Sequence, residues 1–357
     1  MIRDETDAGL IRFLAGSARP AEQVDADVII LTLHRAADSC DAIRSALAQT
    51  GVARHVWVLD QGSTELELAQ LIACVAGRPD VSLFRAARNL GVGGGRNALS
   101  MMGRARVIAA IDNDATFADE TTLARMVEVL DTEQDLAALG CRIVSDATGD
   151  DDLSSWGYPM DLLGRSAERF DTVTFVGAGH AIRRRAWRQA GPYDASLFFC
   201  WEEYDFCLRA IAQGWRIAYH GDLVVRHRVA AEQRQAWSDR RWYHFVRNRL
   251  QIERKTGSNW PSLVPRIGAY AVMGALNGLT GPTLRAIAAA ASTGVTQTID
   301  LPREARAYLA EHDTAHRGSL WHRWRREVLG RLPDQPNLSP ANLSRASSAM
   351  TAGLSNR

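Results

Sequence analysis

The sequence predicts an α/β fold in which a doubly wound, mostly parallel sheet is flanked by helices and followed by a C-terminal helical extension. Strand-like and helix-like segments alternate four times within about the first 110 residues, which is the pattern of such a sheet. Each predicted strand is a short continuous apolar run, as strands covered on both faces usually are. Each run also ends in polar or glycine-bearing sequence, and open parallel sheets bind ligands beyond the carboxyl ends of their strands.

The individual elements follow from hydrophobic periodicity and from the glycine and proline residues between them. In the first half, the predicted strands are residues 27–33, 55–59, 81–85 and 107–111, and the predicted helices are residues 39–49, 65–76, 98–104 and 120–131. In the second half, strands are predicted at residues 137–144, 170–177, 215–219 and 223–225, with a basic helix around 183–188 and an acidic loop at 146–155 that we expect to be mobile.

Size, charge and cysteine content exclude several classes of protein. At 357 residues the chain can form one large domain with appendages or two domains. Its formal net charge of +1 provides no overall field for nucleic acid, so no nucleic-acid partner is expected. The five cysteines are scattered without a CxxC pair, so neither a zinc site nor a disulfide framework is predicted. We expect a cytoplasmic protein, because the start lacks a signal-peptide pattern and no apolar run reaches the ~20 residues of a spanning helix.

The apolar run Val107–Ile111 continues directly into Asp112, Asn113 and Asp114. Residues two apart in extended structure point to one face, so the two carboxylates face the same way. They repel each other unless a cation lies beside them, and hard divalent cations take oxygen ligands. The alternative is an Asp-Asn-Asp turn that only ends the strand. Because the polar ends of the neighbouring strands converge at the same edge, we predict a functional site there.

A glycine-rich segment precedes this strand. Gly93, Gly94 and Gly95 are followed by Arg96 and a predicted helix, so backbone N–H groups and a guanidinium can approach a phosphate closely. The segment is neither a Walker loop, which ends in Gly-Lys-Ser/Thr, nor a dinucleotide fingerprint, which belongs to the first strand–helix turn. A plain tight turn is the alternative.

Three carboxylates, Glu202, Glu203 and Asp205, lie within four residues and among aromatic side chains. A carboxylate that aromatic neighbours desolvate can serve as a general base. The alternative is the first turn of a helix, where acidic residues favour the positive end of the dipole. His227 follows a later predicted strand and is a candidate ligand, although an isolated histidine is more often structural.

The last third of the chain is different in character. Residues 233–255 are basic and aromatic without a nucleic-acid-binding motif, so we expect a helical face near an anionic substrate or a membrane. Residues 267–291 are apolar but interrupted by glycines, which suits packed helices or a shallow contact with a membrane interface. Residues 304–331 are amphipathic, and residues 333–357 have the composition of a disordered tail.

The order of these motifs resembles that of the family 2 glycosyltransferases of GT-A fold, particularly their bacterial rhamnosyltransferase-like branch, over residues 28–250. The segments V-I-I-L-T-L-H-R, V-W-V-L-D-Q-G-S-T and N-L-G-V-G-G-G-R-N are similar to the family's opening strand, its V-V-D-N-G-S-T segment and its N-x-G-x-x-x-x-R-N loop beside the nucleotide. I-D-N-D is similar to the DxD motif, W-E-E-Y-D-F-C-L-R-A to the E-D-x-D-x-x-x-R element that supplies the base, and H-R at His227 to a metal-site histidine.

The resemblance implies a role for each candidate residue. Asp112 is expected at the ribose, Asp114 and His227 at a Mn²⁺ or Mg²⁺ ion, and Glu203 as the base. The family more usually has aspartate at the position of Glu203, so Glu202 and Asp205 are retained as alternatives. The expected contacts to the nucleotide sugar are Thr32, His34, Arg35, Asp60, Gly62, Asn89, Gly93, Gly94, Gly95, Arg96, Asn97, Asp112 and Asn113. The expected contacts to the acceptor are Gly179, His180, Trp201, Glu202 and Asp205.

The resemblance also implies the domain organisation. A lead-in (residues 1–25) precedes a glycosyltransferase domain (26–250), which consists of a nucleotide-binding half (26–131) and an acceptor-binding half (132–250). A helical region (251–332) and the tail (333–357) follow.

The implied enzyme is an inverting, metal-dependent glycosyltransferase of the hexosyltransferase class. It would move a sugar from a nucleotide-diphosphate sugar to a saccharide, lipid-linked or small-molecule acceptor, in polysaccharide, glycolipid or glycoconjugate biosynthesis of the cell envelope. The helical region would pair two copies of the chain or attach it peripherally to the inner face of the cell membrane.

Two rival functions are retained. A sugar-phosphate nucleotidyltransferase also uses a doubly wound sheet and metal-binding carboxylates, but it usually has a glycine-rich basic signature at the first strand–helix turn, where this chain has H-R-A-A-D. A catalytically inactive nucleotide-sugar-binding module is the non-enzymatic rival. The presence of Asp112, Asp114, Glu203 and His227 argues against it.

Overall fold

The computed structural model describes residues 10–18, 23–228, 237–295 and 297–317, and every structural statement refers to them. Ten strands form one sheet: β1 (Ile11–Gly16), β2 (Ala26–Thr32), β3 (Arg54–Asp60), β4 (Val81–Ala86), β5 (Val107–Ile111), β6 (Ala115–Phe117), β7 (Leu136–Ser145), β8 (Arg169–Thr172), β9 (Gly179–Arg183) and β10 (Arg216–His227). The α-helices in these residues are α1 (Ala36–Leu47), α2 (Glu65–Val75), α3 (Gly91–Met102), α4 (Thr122–Thr132), α5 (Arg184–Ala190), α6 (Glu202–Ile211), α7 (Asp239–Lys255), α8 (Trp260–Leu276), α9 (Thr280–Ser292) and α10 (Arg303–His312).

The first half of the sheet is parallel. β4, β3, β2 and β5 are neighbours in that order, and each pair runs in the same direction. Thr32 pairs with Asp60, so the carboxyl ends of β2 and β3 meet at one edge of the sheet. β1 extends this half by pairing antiparallel with β4. The predicted α/β fold class is confirmed.

The second half of the sheet is mixed. β9 pairs antiparallel with both β5 and β7, and β10 pairs parallel with β7 and antiparallel with β6 and β8. The sequence did not predict β9, because the short run G-H-A-I-R has neither an alternating nor a continuous apolar pattern. The strand predicted at residues 170–177 extends only to Thr172, and the two strands predicted after residue 214 are one continuous strand, β10.

Two apolar cores, one on each face of the sheet, stabilise the doubly wound arrangement. Successive residues of β2 alternate between them: Val28 and Ile30 belong to one core, and Ile29 belongs to the other. Helices α1, α2 and α4 cover the first face, and α3, α5 and α6 cover the second. The functional side chains therefore extend from a sheet that is buried on both sides.

Helix α3 begins at Gly91 rather than at residue 98, so the glycine-rich segment is helical and not a loop. A Cβ atom on Gly95 would lie 2.9 Å from Leu31 Cδ2, and one on Gly93 would lie 3.3 Å from Tyr193 Cβ. These glycines let the helix pack closely against its neighbours, which offsets their low helix propensity.

Helices α7, α8 and α9 form a small layer with its own apolar core. Trp242 is fully buried in that core, packs edge-on against Tyr270 and donates from Nε1 to Thr283 Oγ1 at 2.7 Å. α7 runs through residue 250, so it connects the expected glycosyltransferase domain with the C-terminal region.

Among the described helices, none combines the length and the apolar character needed to cross a membrane. The first part of the expected lead-in (residues 1–9), the end of the expected amphipathic segment and the expected tail (residues 318–357) lie outside the described residues.

Candidate active site

The carboxyl ends of β2, β3 and β5 border a cleft of about 340 Å³, which we call the donor cleft. Thr32 ends β2, Gln61 follows β3, Asp112 follows β5, and Asn89 and Arg96 come from the start of α3 and the turn before it. The convergence follows from the parallel order of the strands. The facing wall comes from the loop before α6 and from the start of α7: Phe198, Phe199, Ser238, Arg240 and Arg241.

Asp112, Asp114 and His227 form a cluster that can hold a metal ion. Their ligand atoms lie within 4.8 Å of one another, and His227 Nε2 lies 3.0 Å from Asp114 Oδ1. Asp114 and His227 are buried, whereas Asp112 is half-buried. Two carboxylates and an imidazole are a donor set that divalent ions such as Mn²⁺ accept. The residues therefore fit the metal that the sequence predicted.

Strand pairing brings this cluster together. β6 starts immediately after Asp114 and pairs antiparallel with the end of β10, so that Ala115 lies opposite His227. The Arg228 N–H also donates to the main-chain oxygen of Asp114 at 2.8 Å. A sheet register, rather than a flexible loop, thus fixes the distance between Asp114 and His227.

Asp152 orients His227, a role that no sequence motif indicates. His227 Nδ1 lies 3.0 Å from Asp152 Oδ2 and 3.3 Å from Ser155 Oγ. A carboxylate at one ring nitrogen fixes the tautomer and leaves the other nitrogen to bind a metal. Asp152 is held in turn by the Ser154 N–H at 3.0 Å and the Ser155 hydroxyl at 2.8 Å. The acidic loop that was expected to be mobile is therefore tied to the metal cluster.

The turn after β2 brings Arg35, but not His34, to the cluster. Arg35 Nη1 donates to Asp114 Oδ2 at 2.8 Å, whereas His34 Nδ1 lies 3.0 Å from Glu67 Oε2. Both residues have left-handed backbone conformations, with φ of 58° and 61°. Such conformations cost of order 1–3 kcal/mol each and are common at functional sites.

Arg96 links the metal cluster to Glu203. Its Nη1 donates to Glu203 Oε1 at 2.6 Å, and its Nη2 donates to Gly177 O at 2.9 Å and lies 3.3 Å from Asp112 Oδ1. Burial alone would lower the pKa of Arg96, but Glu203 and the other acidic neighbours raise it above its usual value. The guanidinium, which was expected to hold the nucleotide, is thus engaged by protein groups while it lines the donor cleft.

A second cavity of about 240 Å³, which we call the aromatic cavity, lies on the other side of this pair. Glu203 lines it, whereas Arg96 lines the donor cleft. The remaining lining residues are Ser154, Ser155, Trp156, Gly157, Thr174, Phe175, Val176, Gly177, Trp201 and Tyr204. The 2.6 Å contact between Arg96 and Glu203 therefore joins the two cavities.

The loop before Glu203 is strained and is held by α7. Phe198, Cys200 and Trp201 all have positive φ, between 62° and 73°. The buried Asn248 donates to three carbonyl oxygens of this loop, those of residues 197, 199 and 200, at 2.8 to 2.9 Å. Trp201 Nε1 donates to the main-chain oxygen of Phe245 at 3.0 Å. α7 therefore sets the position from which α6 and Glu203 begin.

Neither Glu202 nor Asp205 lines the donor cleft or the aromatic cavity, whereas Glu203 lines the aromatic cavity. Asp205 is fully buried, 3.0 Å from Arg209 Nε and 2.6 Å from Lys255 Nζ, so it forms ion pairs inside the fold. Glu202 is buried, and its Oε2 has no hydrogen-bond partner among the described residues. Burial and the neighbouring Glu203 raise the pKa of Glu202 to about 8.

Several other expected contacts have structural partners. Asn97 exchanges two hydrogen bonds with the main chain of Tyr193, at 2.7 and 2.9 Å. Asp60 is fully buried and accepts from the Ser63 N–H at 3.1 Å. His180 is buried 3.2 Å from Tyr193 Oη, and burial lowers its pKa well below the usual value. These side chains are engaged in holding the walls of the site.

The expected glycines differ in their surroundings. Gly93 and Gly95 pack inside the fold, and a Cβ atom on Gly179 would lie 2.8 Å from Val225 Cγ2. Gly62 has a φ of 124°, which favours glycine, in the turn after β3.

Three further expected contacts line the cavities. Asn89 and Asn113 line the donor cleft, and Trp201 lines the aromatic cavity.

Comparison with known proteins agrees with this architecture. The structure resembles the mannosyltransferase PcManGT from Pyrobaculum calidifontis in complex with GDP-Man and Mn²⁺, with a TM-score of 0.53 and 19% sequence identity over 86% of this chain and 84% of that one. It also resembles GalNAc-T7 with UDP, GalNAc and Mn²⁺, with a TM-score of 0.53 and 13% identity over 86% of this chain and 57% of that one. The fold is that of the GT-A glycosyltransferases.

The sequence also matches known proteins over part of its length. Residues 27–190 match the model of glycosyl transferase family 2. The succinoglycan biosynthesis protein ExoO of Rhizobium meliloti (strain 1021) is 38% identical over 107 residues. That match spans 30% of this chain and 30% of ExoO.

Proposed function

We propose that the protein is a metal-dependent, inverting glycosyltransferase that moves a sugar from a nucleotide-diphosphate donor to an acceptor hydroxyl. One observation carries the proposal: the carboxylate–histidine cluster and Glu203 lie at one edge of the sheet, joined through the Arg96 guanidinium. The donor cleft lies on the Arg96 side of that junction and the aromatic cavity on the Glu203 side. A donor and an acceptor bound in the two cavities would meet at Glu203.

Each residue would have its own role in the reaction. Asp114 and His227 would hold a Mn²⁺ or Mg²⁺ ion, with Asp112 beside it. Such an ion supplies positive charge to the diphosphate leaving group. Glu203 would accept the proton of the acceptor hydroxyl as its oxygen forms a bond to the anomeric carbon, while the bond from that carbon to the diphosphate breaks. Attack from the face opposite the leaving group inverts the anomeric configuration.

The metal assignment is tested with Asp114→Asn. The variant should lose Mn²⁺-dependent turnover and keep its melting temperature, because the side chain keeps its shape and loses its charge. Asp161→Asn is the matched control, since Asp161 is exposed and lies outside the site. Full activity of Asp114→Asn, or of the wild type in excess chelator, would contradict the assignment.

The base assignment is tested with Glu203→Gln. General-base catalysis contributes roughly 10²- to 10⁴-fold, so transfer should fall by that amount while calorimetry still detects donor binding. Glu304→Gln, an exposed change on α10, is the control. Transfer that stays within about tenfold of wild type shows that Glu203 is not the base.

We propose a saccharide as the part of the acceptor that enters the aromatic cavity. The rings of Trp156, Phe175, Trp201 and Tyr204 offer apolar faces, and hydroxyl groups lie beside them. That combination suits a sugar ring, which has apolar faces and polar edges. The motif order supports a hexose or deoxyhexose donor, as in the rhamnosyltransferase-like branch. A thermal-shift panel of nucleotide-diphosphate sugars, with Mn²⁺, with Mg²⁺ and without either, tests the donor and the metal preference.

We also propose that α8 attaches the enzyme to the cytoplasmic face of a membrane, where a lipid-linked saccharide would be presented for cell-envelope biosynthesis. Val264, Val272 and Leu276 repeat at helical spacing and are 61, 40 and 54% exposed, and Leu284 of α9 is 61% exposed. Flotation with vesicles should recover the protein, and Leu276→Asp should abolish recovery. Sedimentation equilibrium tests the alternative, a homodimer through the same face, which Leu276→Asp would dissociate.

A further inference from the structure

A third cavity, of about 410 Å³, lies at the opposite end of β5 from the donor cleft. We call it the arginine cavity, because six of its ten lining residues are arginines and a single one is acidic. Its lining residues are Arg104, Arg106, Val107, Leu130, Asp131, Arg183, Arg184, Arg185, Arg188 and Gln189. The five residues of β5 separate it from Asp112 by roughly 16 Å, at about 3.3 Å per residue.

Arg184, Arg106 and Arg183 form the part of the cavity whose side chains are held by hydrogen bonds or ion pairs, which we call its fixed part. Arg184 is buried and donates to Ser100 O at 2.6 Å and to Asp27 Oδ2 at 2.6 Å. Arg106 forms ion pairs with Asp25 and Asp131. Their guanidinium groups are therefore held in place by the protein and are largely compensated by carboxylates.

Arg183 belongs to this fixed part but keeps its charge uncompensated. It donates to main-chain carbonyl oxygens, from Nε to Leu136 O at 2.9 Å and from Nη2 to Leu130 O and to Glu133 O at 2.7 Å. No carboxylate among the described residues forms an ion pair with it. The carbonyl groups therefore fix the orientation of the Arg183 guanidinium without neutralising its charge.

The other three arginines are exposed at the rim. Arg104 and Arg188 have no ion pair and no side-chain hydrogen bond within the part of the chain that the structure describes. Arg185 lies over the Trp215 ring, 5.9 Å from its centroid, which leaves its charge uncompensated as well. The cavity thus carries six positive guanidinium charges, and only three carboxylates among the described residues, those of Asp25, Asp27 and Asp131, form ion pairs with them.

We propose that the arginine cavity is a second ligand site, which binds a phosphate-bearing anion such as a diphosphate or the phosphate of a lipid headgroup. An excess of about three positive charges matches a di- or trianion, and guanidinium groups suit phosphate because they donate two parallel hydrogen bonds. Unpaired like charges repel, so an anion that neutralises them would stabilise the folded chain. The site does not depend on the proposed reaction, since none of its residues lines the donor cleft or the aromatic cavity.

The test compares the wild-type chain with the double variant Arg104→Gln/Arg188→Gln. Titration calorimetry with inorganic pyrophosphate, in excess chelator to suppress binding at the metal cluster, should give saturable binding to the wild type. The double variant should bind at least about tenfold more weakly, since two charge-assisted contacts are lost. Arg78→Gln removes one charge from an exposed turn outside the cavity and should bind like the wild type.

A monomeric short-chain phosphatidic acid is titrated in parallel to distinguish the two sources of phosphate. Tighter binding of pyrophosphate identifies a free phosphate compound, and tighter binding of phosphatidic acid identifies a headgroup. Melting temperature provides a second readout: the better probe should raise it in the wild type and in Arg78→Gln, and less in the double variant, by mass action. The proposal fails if neither probe binds saturably, or if the double variant and the wild type bind with the same affinity.

Discussion

Gly177→Ala is predicted to disable transfer by displacing Glu203 without unfolding the protein. A Cβ atom built on Gly177 lies 2.4 Å from Glu203 Oε1 and 3.0 Å from Arg96 Nη2. Ordinary contact begins at 3.4 Å, so the carboxylate oxygen must move by about 1 Å. The backbone of Gly177 is outside the left-handed region, so alanine adds no conformational strain there.

The expected effect follows from that displacement. A misplacement of about 1 Å can cost roughly 100-fold in rate, or about 2.7 kcal/mol of transition-state stabilisation. The loss should appear in kcat more than in the KM for the donor, because Glu203 lines the aromatic cavity and not the donor cleft. The assay is release of nucleoside diphosphate, with the donor that gives the largest thermal shift.

Two companion variants make the test specific. Gly164→Ala is the control, because a Cβ atom at Gly164 meets nothing within 4 Å. Glu203→Asp shortens the carboxylate and makes room for the new methyl group, so Gly177→Ala should cost much less in that background than in the wild type. A Gly177→Ala variant that folds and transfers within about threefold of Gly164→Ala would refute the reasoning, as would simple additivity of the two changes.

Three further predictions concern residues around the site. Asp152→Ala should weaken Mn²⁺ binding about 10- to 100-fold, measured by Mn²⁺-dependent thermal shift, because His227 loses the carboxylate that orients it; unchanged affinity would exclude that role. Asn248→Ala should lower the free energy of unfolding in urea by about 1 to 3 kcal/mol and reduce kcat, since three loop carbonyls lose their donor; a variant as stable and active as the wild type would contradict this. Glu202 has a pKa raised to about 8 in the folded chain, so its contribution to stability is lost as pH rises from about 4.5 to 8. Glu202→Gln should therefore flatten the fall in unfolding free energy over that pH range, and an unchanged slope would show that Glu202 does not titrate there.

The parts of the site that were predictable are those with a local sequence signal. β5 is a continuous apolar run, and Asp112 and Asp114 follow it directly, so their position at the edge of the sheet follows from the amino-acid pattern alone. The parallel strands β2 and β3 were predictable for the same reason. Their ends had to meet because parallel pairing aligns them.

The supporting residues carried no such signal. Asp152 and Asn248 act on side chains or loops that are distant in the chain, and neither periodicity nor spacing encodes those contacts. The sequence predicted too late a start for α3, because glycine lowers helix propensity. In the structure, close packing against Leu31 and Tyr193 determines that this glycine-rich turn is helical. Tertiary contacts therefore override the local preference there.

The segment that matches the family model ends at residue 190, before Glu203, His227 and Asn248. A fragment limited to that segment would keep Asp112 and Asp114 and lose the loop that α7 holds. Each cavity nevertheless has walls from both sides of residue 190: Phe198 and Arg240 complete the donor cleft, and Trp201 and Tyr204 complete the aromatic cavity. Under the proposed roles, a division at residue 190 therefore does not separate donor preference from rate of transfer, and hybrid enzymes that exchange the two portions between relatives should keep transfer only where both walls of each cavity match.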